Sequence, residues 1–205
     1  MGARIHTQIN FNAGVYFSGS FYMGSYEVDL SMSVETESIR EQNIALERMK
    51  YFLMETLADS VMIHDKETTQ VEKYLNADLK VCTLPEEPYD QVVGIMLLCK
   101  LNAVAEGRLH VDDITIGSSM SDGVSCMIGD DEFLGPFEMN GWWKECSTKI
   151  NDVAVKRTSK KVVKLIKPGI DWSDVYLTWE EKKPKKDVKP NTEILFGSFD
   201  SKTEK

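Results

Sequence analysis

The sequence predicts an α+β protein, and three observations carry that prediction. Two long runs in the first 36 residues alternate apolar and polar side chains. Two later stretches repeat apolar residues at three- and four-residue steps, and residues 109–128 return to alternation. Alternation marks strands with one buried face; the wider steps mark amphipathic helices.

From Ile5 to Phe17 the odd positions hold Ile5, Ile9, Phe11, Val15 and Phe17, and the even ones His6, Gln8, Asn10 and Asn12. From Tyr22 to Val34 the even positions hold Tyr22, Tyr26, Val28, Leu30 and Met32, against Ser25, Glu27, Asp29 and Ser31. With Ser18-Gly19-Ser20 as the break, these runs predict one long antiparallel hairpin. Its inward set is Ile5, Ile9, Phe11, Val15, Tyr26, Val28, Leu30 and Met32. Ser38-Ile39-Arg40-Glu41 has the form of a capping box. The Leu46, Met49, Phe52, Leu57 and Val61 series behind it predicts a helix to about Ile63. Residues 65–88 read as polar and irregular, with a short strand at Leu79–Thr83. A second helix is expected from Asp90 to near Gly107, and a second hairpin from Leu109–Ile116 and Val124–Ile128.

The expected architecture is therefore ββααββ, an antiparallel sheet with two helices on one face, over residues 1–128. Residues 129–181 contain all four tryptophans and read as a β-rich extension packed on the core, with strands at Val153–Val155, Val162–Ile166 and Val175–Trp179. Residues 182–205 open on a lysine- and proline-rich run too polar to pack, and are expected to be a flexible charged tail.

Composition narrows the function classes. The chain is 42% hydrophobic and 28% charged, the balance of a globular protein. No apolar run reaches the roughly 18 residues of a membrane span, and the N-terminus has no apolar signal core, so a cytoplasmic location is expected. Cys82, Cys99, Cys126 and Cys146 lack metal-site spacing and are expected to be free buried thiols. Residues 1–143 carry nine Lys/Arg against 23 Asp/Glu, whereas residues 144–189 carry thirteen against seven. An acidic body repels nucleic acid, so a nucleic-acid contact would fall to the basic segment 156–167.

Motifs of catalysis are sparse. His6, His64 and His110 lie far apart and are assigned ordinary surface or core roles. Asp112, Asp113, Asp130, Asp131 and Glu132 offer carboxylates to a divalent cation, although acidic clusters are usually solvated loops. No phosphate-binding glycine loop or nucleophile elbow is present. No catalytic, cofactor or metal site is expected from these residues.

Phe11-Asn12-Ala13-Gly14-Val15 on the first strand, Tyr22-Met23-Gly24-Ser25-Tyr26-Glu27-Val28-Asp29-Leu30 on the second, and Leu57-Ala58-Asp59-Ser60 after the helix carry a resemblance over residues 4–128. With the element order, they resemble the tunnelling fold and, more narrowly, the 6-pyruvoyl and 6-carboxy tetrahydropterin synthases. That resemblance implies subunit interfaces and three zinc-binding histidines. Here the ligand positions are Val15 and the stretch Tyr22–Ser25, without histidine. The family's cysteine nucleophile is missing, since no cysteine precedes Cys82, and Ser60 stands for its histidine partner beside Asp59. The glutamate that would anchor a ring, expected near Thr115–Ser119, has no equivalent. The reading is a degenerate member without the zinc site.

One apolar cluster follows the lysine-proline run: Ile194, Leu195, Phe196, Phe199 and Asp200. Leu-Phe-x-x-Phe-Asp resembles the C-terminal sliding-clamp-binding peptides of tailed-phage proteins, and implies a protein partner engaged by a few apolar anchors. The function expected overall is a non-catalytic, homo-oligomeric interaction or scaffold protein whose C-terminal peptide recruits such a partner. The alternatives are a binder or enzyme for a pterin- or purine-like molecule at a subunit interface, and a nucleic-acid-associated factor.

Overall fold

The two alternating runs pair over their whole length. In the structure, a computed structural model that describes residues 3–130, 133–153 and 170–180, β1 (Arg4–Phe17) and β2 (Ser20–Val34) form an antiparallel hairpin. Ser18 and Gly19 close it with φ of 49° and 79°, the positive pair that a two-residue type I′ loop requires. The register sets Ile9 against Val28 and Phe11 against Tyr26, whose rings stack 5.0 Å apart. Seven of the eight expected inward residues are buried, and Ile5 is partly buried against them.

Helix α1 (Ile39–Tyr51) starts at the expected cap, with the Ser38 hydroxyl accepting from the Glu41 amide at 3.3 Å. The reciprocal half of the box is replaced: the Glu41 carboxylate accepts from the Thr36 hydroxyl instead. The helix does not run to Ile63. It widens into a π-helical turn over Phe52–Leu57, closed by Ala58 N–H donating to Leu53 O at 2.9 Å. Asp59 then adopts φ 60°, and Ser60–His64 is a strand, β3. An apolar run that is buried on every side satisfies helix and strand periodicity alike, so Val61-Met62-Ile63 could not be divided by pattern.

Residues 65–88 are also more regular than expected. Helix α2 (Thr68–Asn76) buries Val71 and Leu75, and β4 (Lys80–Leu84) follows where a short strand was predicted. Helix α3 (Asp90–Ala105), β5 (Leu109–Ser118) and β6 (Ser125–Gly129) match expectation. The sheet order is β4-β3-β1-β2-β5-β6. It is mixed rather than antiparallel, because β3 runs parallel to both β1 and β4. The β3–α2–β4 unit is the crossover that parallel neighbours require.

Successive side chains on β3 and β4 take opposite faces. Met62 and Cys82 join the main core with α1 and α3, whereas Ile63 and Val81 form a second core with Val71 and Leu75 of α2. The fold is thus an α+β sheet with α1 and α3 on one face and α2 over one end of the other. Glycine at 94 lets α3 lie close on the sheet, since a Cβ there would collide with Ile128 and sit 2.9 Å from Ile116.

The C-terminal extension is not β-rich among the described residues. Gly135–Glu138 and Trp142–Lys144 are 3-10 turns, and Val175–Trp179 is turn and irregular chain. Val153 is irregular, and Val162–Ile166 lies outside the described residues, as does the peptide of Ile194, Leu195, Phe196, Phe199 and Asp200. Tryptophans rather than strands fasten this segment, because an indole buries large apolar area and still brings one donor. Trp142 Nε1 donates to Thr83 O at 2.9 Å, Thr83 N to Ile150 O at 3.1 Å and Asn151 Nδ2 to Val81 O at 2.8 Å. These bonds occupy the outer edge of β4. No helix of the described residues is long and apolar enough to cross a membrane.

Candidate functional site

The inner face near the hairpin tip is where the resemblance would put zinc. The register sets Val15 opposite Tyr22 and Ala13 opposite Gly24, and Val15 is paired on its other side with Met62, which pairs with Cys82. Val15, Met62 and Cys82 are buried, whereas Tyr22 is half exposed. The fold therefore brings the expected ligand positions together and fills them with side chains that cannot replace three imidazoles. Cys82 is the only thiol in this row of strand residues, and burial pushes it well above the ordinary range despite the nearby Lys100. Cys99, also raised by burial, is pushed up to about 11 with Lys144 opposing. Neither is a thiolate nucleophile near neutral pH. The expectation of four buried thiols holds only for Cys82; Cys99 and Cys126 are half-buried and Cys146 is exposed.

Polar atoms nonetheless remain beside this region. The Tyr26 hydroxyl, the Ser60 hydroxyl and Asp90 Oδ2 are buried with no hydrogen-bond partner among the described residues. Burial first, then Asp90 and Cys82, hold the Tyr26 phenol far above its usual range, so it stays a neutral donor. Asp59, which matches the family pattern, is instead a turn residue that donates its N–H to Asn12 O at 2.8 Å.

The opposite, polar face of the sheet is open over its β2–β5 half. A cavity of about 540 Å³ is lined by Glu27, Asp29, Thr115, Ser119 and Ser125 among others. A second, of about 360 Å³, places His6 with Asp29 and Asp113. Acidic and hydroxyl groups dominate both. His64 sits at the end of β3, its Nδ1 accepting from the Lys66 amide at 2.9 Å.

The carboxylates singled out in the sequence are sorted by a β-bulge. Ser31 pairs with Asp113, but Met32 pairs with Val111, so Asp112 is the extra residue on β5. Asp113 goes to the His6 cavity. Asp112 lies beside Asp130, whose N–H donates to Asp112 O at 3.0 Å, and the Ser33 hydroxyl lies 2.9 and 2.7 Å from the two Asp112 carboxylate oxygens. His110 joins them, with Nε2 2.7 Å from Asp130 Oδ2. Sequence reasoning left His110 out. Its i, i+2 spacing to Asp112 on a strand was legible, but the hairpin register that adds Asp130 was not. Asp131 and Glu132 lie outside the described residues.

No protein-family model matches the chain, and no curated protein does. Solved structures do. One is an uncharacterized protein, WS1659, from Wolinella succinogenes, at 9% identity and TM-score 0.49, covering 64% of this chain and 99% of that one. The 6-pyruvoyl tetrahydropterin synthase of Plasmodium vivax matches at 11% identity and TM-score 0.40, covering 62% and 97%. That of Plasmodium falciparum matches at 14% and 0.39, covering 62% and 96%. The chain is similar to them in path, not in sequence. The synthases among these neighbours are of the family that the sequence pattern resembles.

Proposed function

We propose that this chain is a non-catalytic, self-associating interaction protein. The observation that carries the reading is the asymmetry of its sheet. The β4 edge is closed by Trp142, Ile150 and Asn151, whereas β6 has no partner on its outer side among the described residues. Strand β6 is uncharged, and Val124 and Met127 beside and on it are 63% and 71% exposed. A second copy adding its own β6 would satisfy both edges at once, the usual resolution of an open edge. The lack of a usable nucleophile or zinc ligand at the family's positions supports the non-catalytic part. Light scattering of wild type and Met127→Lys tests it: a dimer or larger species that the substitution dissociates is expected, and a monomer at micromolar concentration would refute it.

The peptide Ile194–Asp200 is proposed to recruit a protein partner, a sliding clamp of the tailed-phage kind, through Ile194, Leu195, Phe196 and Phe199. A second reading, binding of a pterin- or purine-like molecule, is favoured by the orphaned Tyr26, Ser60 and Asp90 atoms, because buried polar groups ordinarily have partners. A rise in melting temperature with a pterin or guanine compound would support that reading over the first.

A further inference from the structure

The resemblance points to the hairpin tip, but among the described residues a group of side chains with metal-ligand chemistry lies toward the other end of β2. From Tyr22 to Ser33 along that strand is about 35 Å at 3.3 Å per residue. There one imidazole nitrogen and two carboxylate oxygens, from His110, Asp112 and Asp130, lie within 4.8 Å of one another. We propose that these three residues bind a divalent cation of the class that accepts imidazole and carboxylate together, zinc or manganese, with its remaining position facing solvent.

The donor set decides the class. Calcium and magnesium prefer all-oxygen shells, whereas an imidazole with two carboxylates suits zinc and manganese. Three protein ligands leave a tetrahedral ion one open position. Beside His110 and Asp130 there is room for it: a cavity of about 300 Å³, lined also by Cys99, Asn102, Leu134 and Lys144. The dimensions suit an ion. Ligand atoms about 2.0–2.1 Å from a tetrahedral zinc stand roughly 3.3 Å apart. The His110–Asp130 contact of 2.7 Å needs to open by about half an ångström to reach that separation. Separations at the 4.8 Å limit would close by side-chain rotation.

The backbone that carries the ligands is held independently of them. Asn102 on α3 clamps Val111, the residue between His110 and Asp112: its Oδ1 accepts from Val111 N at 2.7 Å and its Nδ2 donates to Val111 O at 3.3 Å. Ser33 holds the Asp112 carboxylate from β2. Such outer partners orient ligands and raise affinity. This inference does not depend on self-association.

The test uses the full chain stripped with a chelator and titrated calorimetrically with zinc or manganese chloride. One saturable equivalent is expected, with magnesium and calcium at least ten-fold weaker. His110→Ala and Asp130→Asn should each weaken zinc binding by ten-fold or more, and Ser33→Ala by about ten-fold, with unchanged far-ultraviolet circular dichroism. X-ray absorption of the zinc-loaded wild type should show only nitrogen and oxygen neighbours, a readout that needs no variant. Absence of saturable binding at millimolar zinc, undiminished binding by a His110→Ala/Asp130→Asn double variant, or sulfur in the first shell would each overturn the site.

Discussion

At the residue scale, two buried cations join the tryptophans in fastening the C-terminal extension. Arg48, 3% exposed, donates to Leu177 O and Val104 O and pairs with Glu106 at 2.6 Å, while its guanidinium lies 3.8 Å from the Trp179 ring. Glu106 takes φ 48° at the end of α3, a left-handed conformation uncommon for glutamate, and this ion pair holds it there. Lys100, fully buried, donates to Trp142 O and Glu145 O. Burial lowers its ammonium from 10.5 to about 8, with Glu145 opposing. Because the folded value lies below the unfolded one, the penalty is complete below pH 8 and disappears as pH rises through 10.5. Stability of wild type relative to Lys100→Met should therefore improve between pH 7.5 and 10, by at most on the order of 2–3 kcal/mol. The raised Cys82, Cys99 and Tyr26 values work against stability over that alkaline range, but both proteins carry them. Urea unfolding at the two pH values gives the comparison, and an unchanged difference would reject a depressed Lys100. Arg48→Ala, which strands Glu106 and the two carbonyls of Leu177 and Val104, should cost about 3–5 kcal/mol in the same assay.

At the element scale, the hairpin register makes the strictest claim. Val28 is fully buried between Ile9 and Ile116, whereas its neighbour Asp29 points to the open face. Val28→Asp should abolish cooperative folding or cost several kcal/mol, and Asp29→Ser should stay within about 0.5 kcal/mol of wild type. Melting curves showing equal effects would reject the register. The hairpin was legible because one buried face makes alternation unambiguous; a one-residue slip would invert it. Strand β3 was not, because Ile63 is buried against α2 while Met62 is buried against the main core, and Val61 before them is buried as well. Helix α2 escaped notice because nine residues with two buried apolar positions carry little periodic signal.

At the scale of the whole molecule, the open β6 edge and the C-terminal peptide predict separable behaviour. Met127→Lys should dissociate the assembly while leaving the melting temperature within a few degrees, since Met127 is 71% exposed in the single chain. Deleting residues 190–205 should leave both assembly and melting almost unchanged while abolishing one protein interaction, measured by pull-down against a candidate clamp. A drop of many degrees on truncation would make Leu195, Phe196 and Phe199 part of the protein's own core, because each could contribute roughly 1.5–3 kcal/mol if buried.

The sequence by itself determined the α+β class, both hairpins, helix α3 and the start of α1, because local periodicity and capping chemistry act over a few residues and need no knowledge of distant partners. It also determined that Val15 and Tyr22–Ser25 lack zinc-binding histidines, since that is a matter of residue identity. Only the tertiary structure decided that β3 and β4 run parallel and that Trp142, Ile150 and Asn151 rather than a further strand close the β4 edge. It alone joined His110, Asp112 and Asp130, whose spacing depends on a bulge and a hairpin register. These features rest on contacts between residues 18 to 82 apart in sequence, and a side chain's own neighbours in the chain carry no record of such partners.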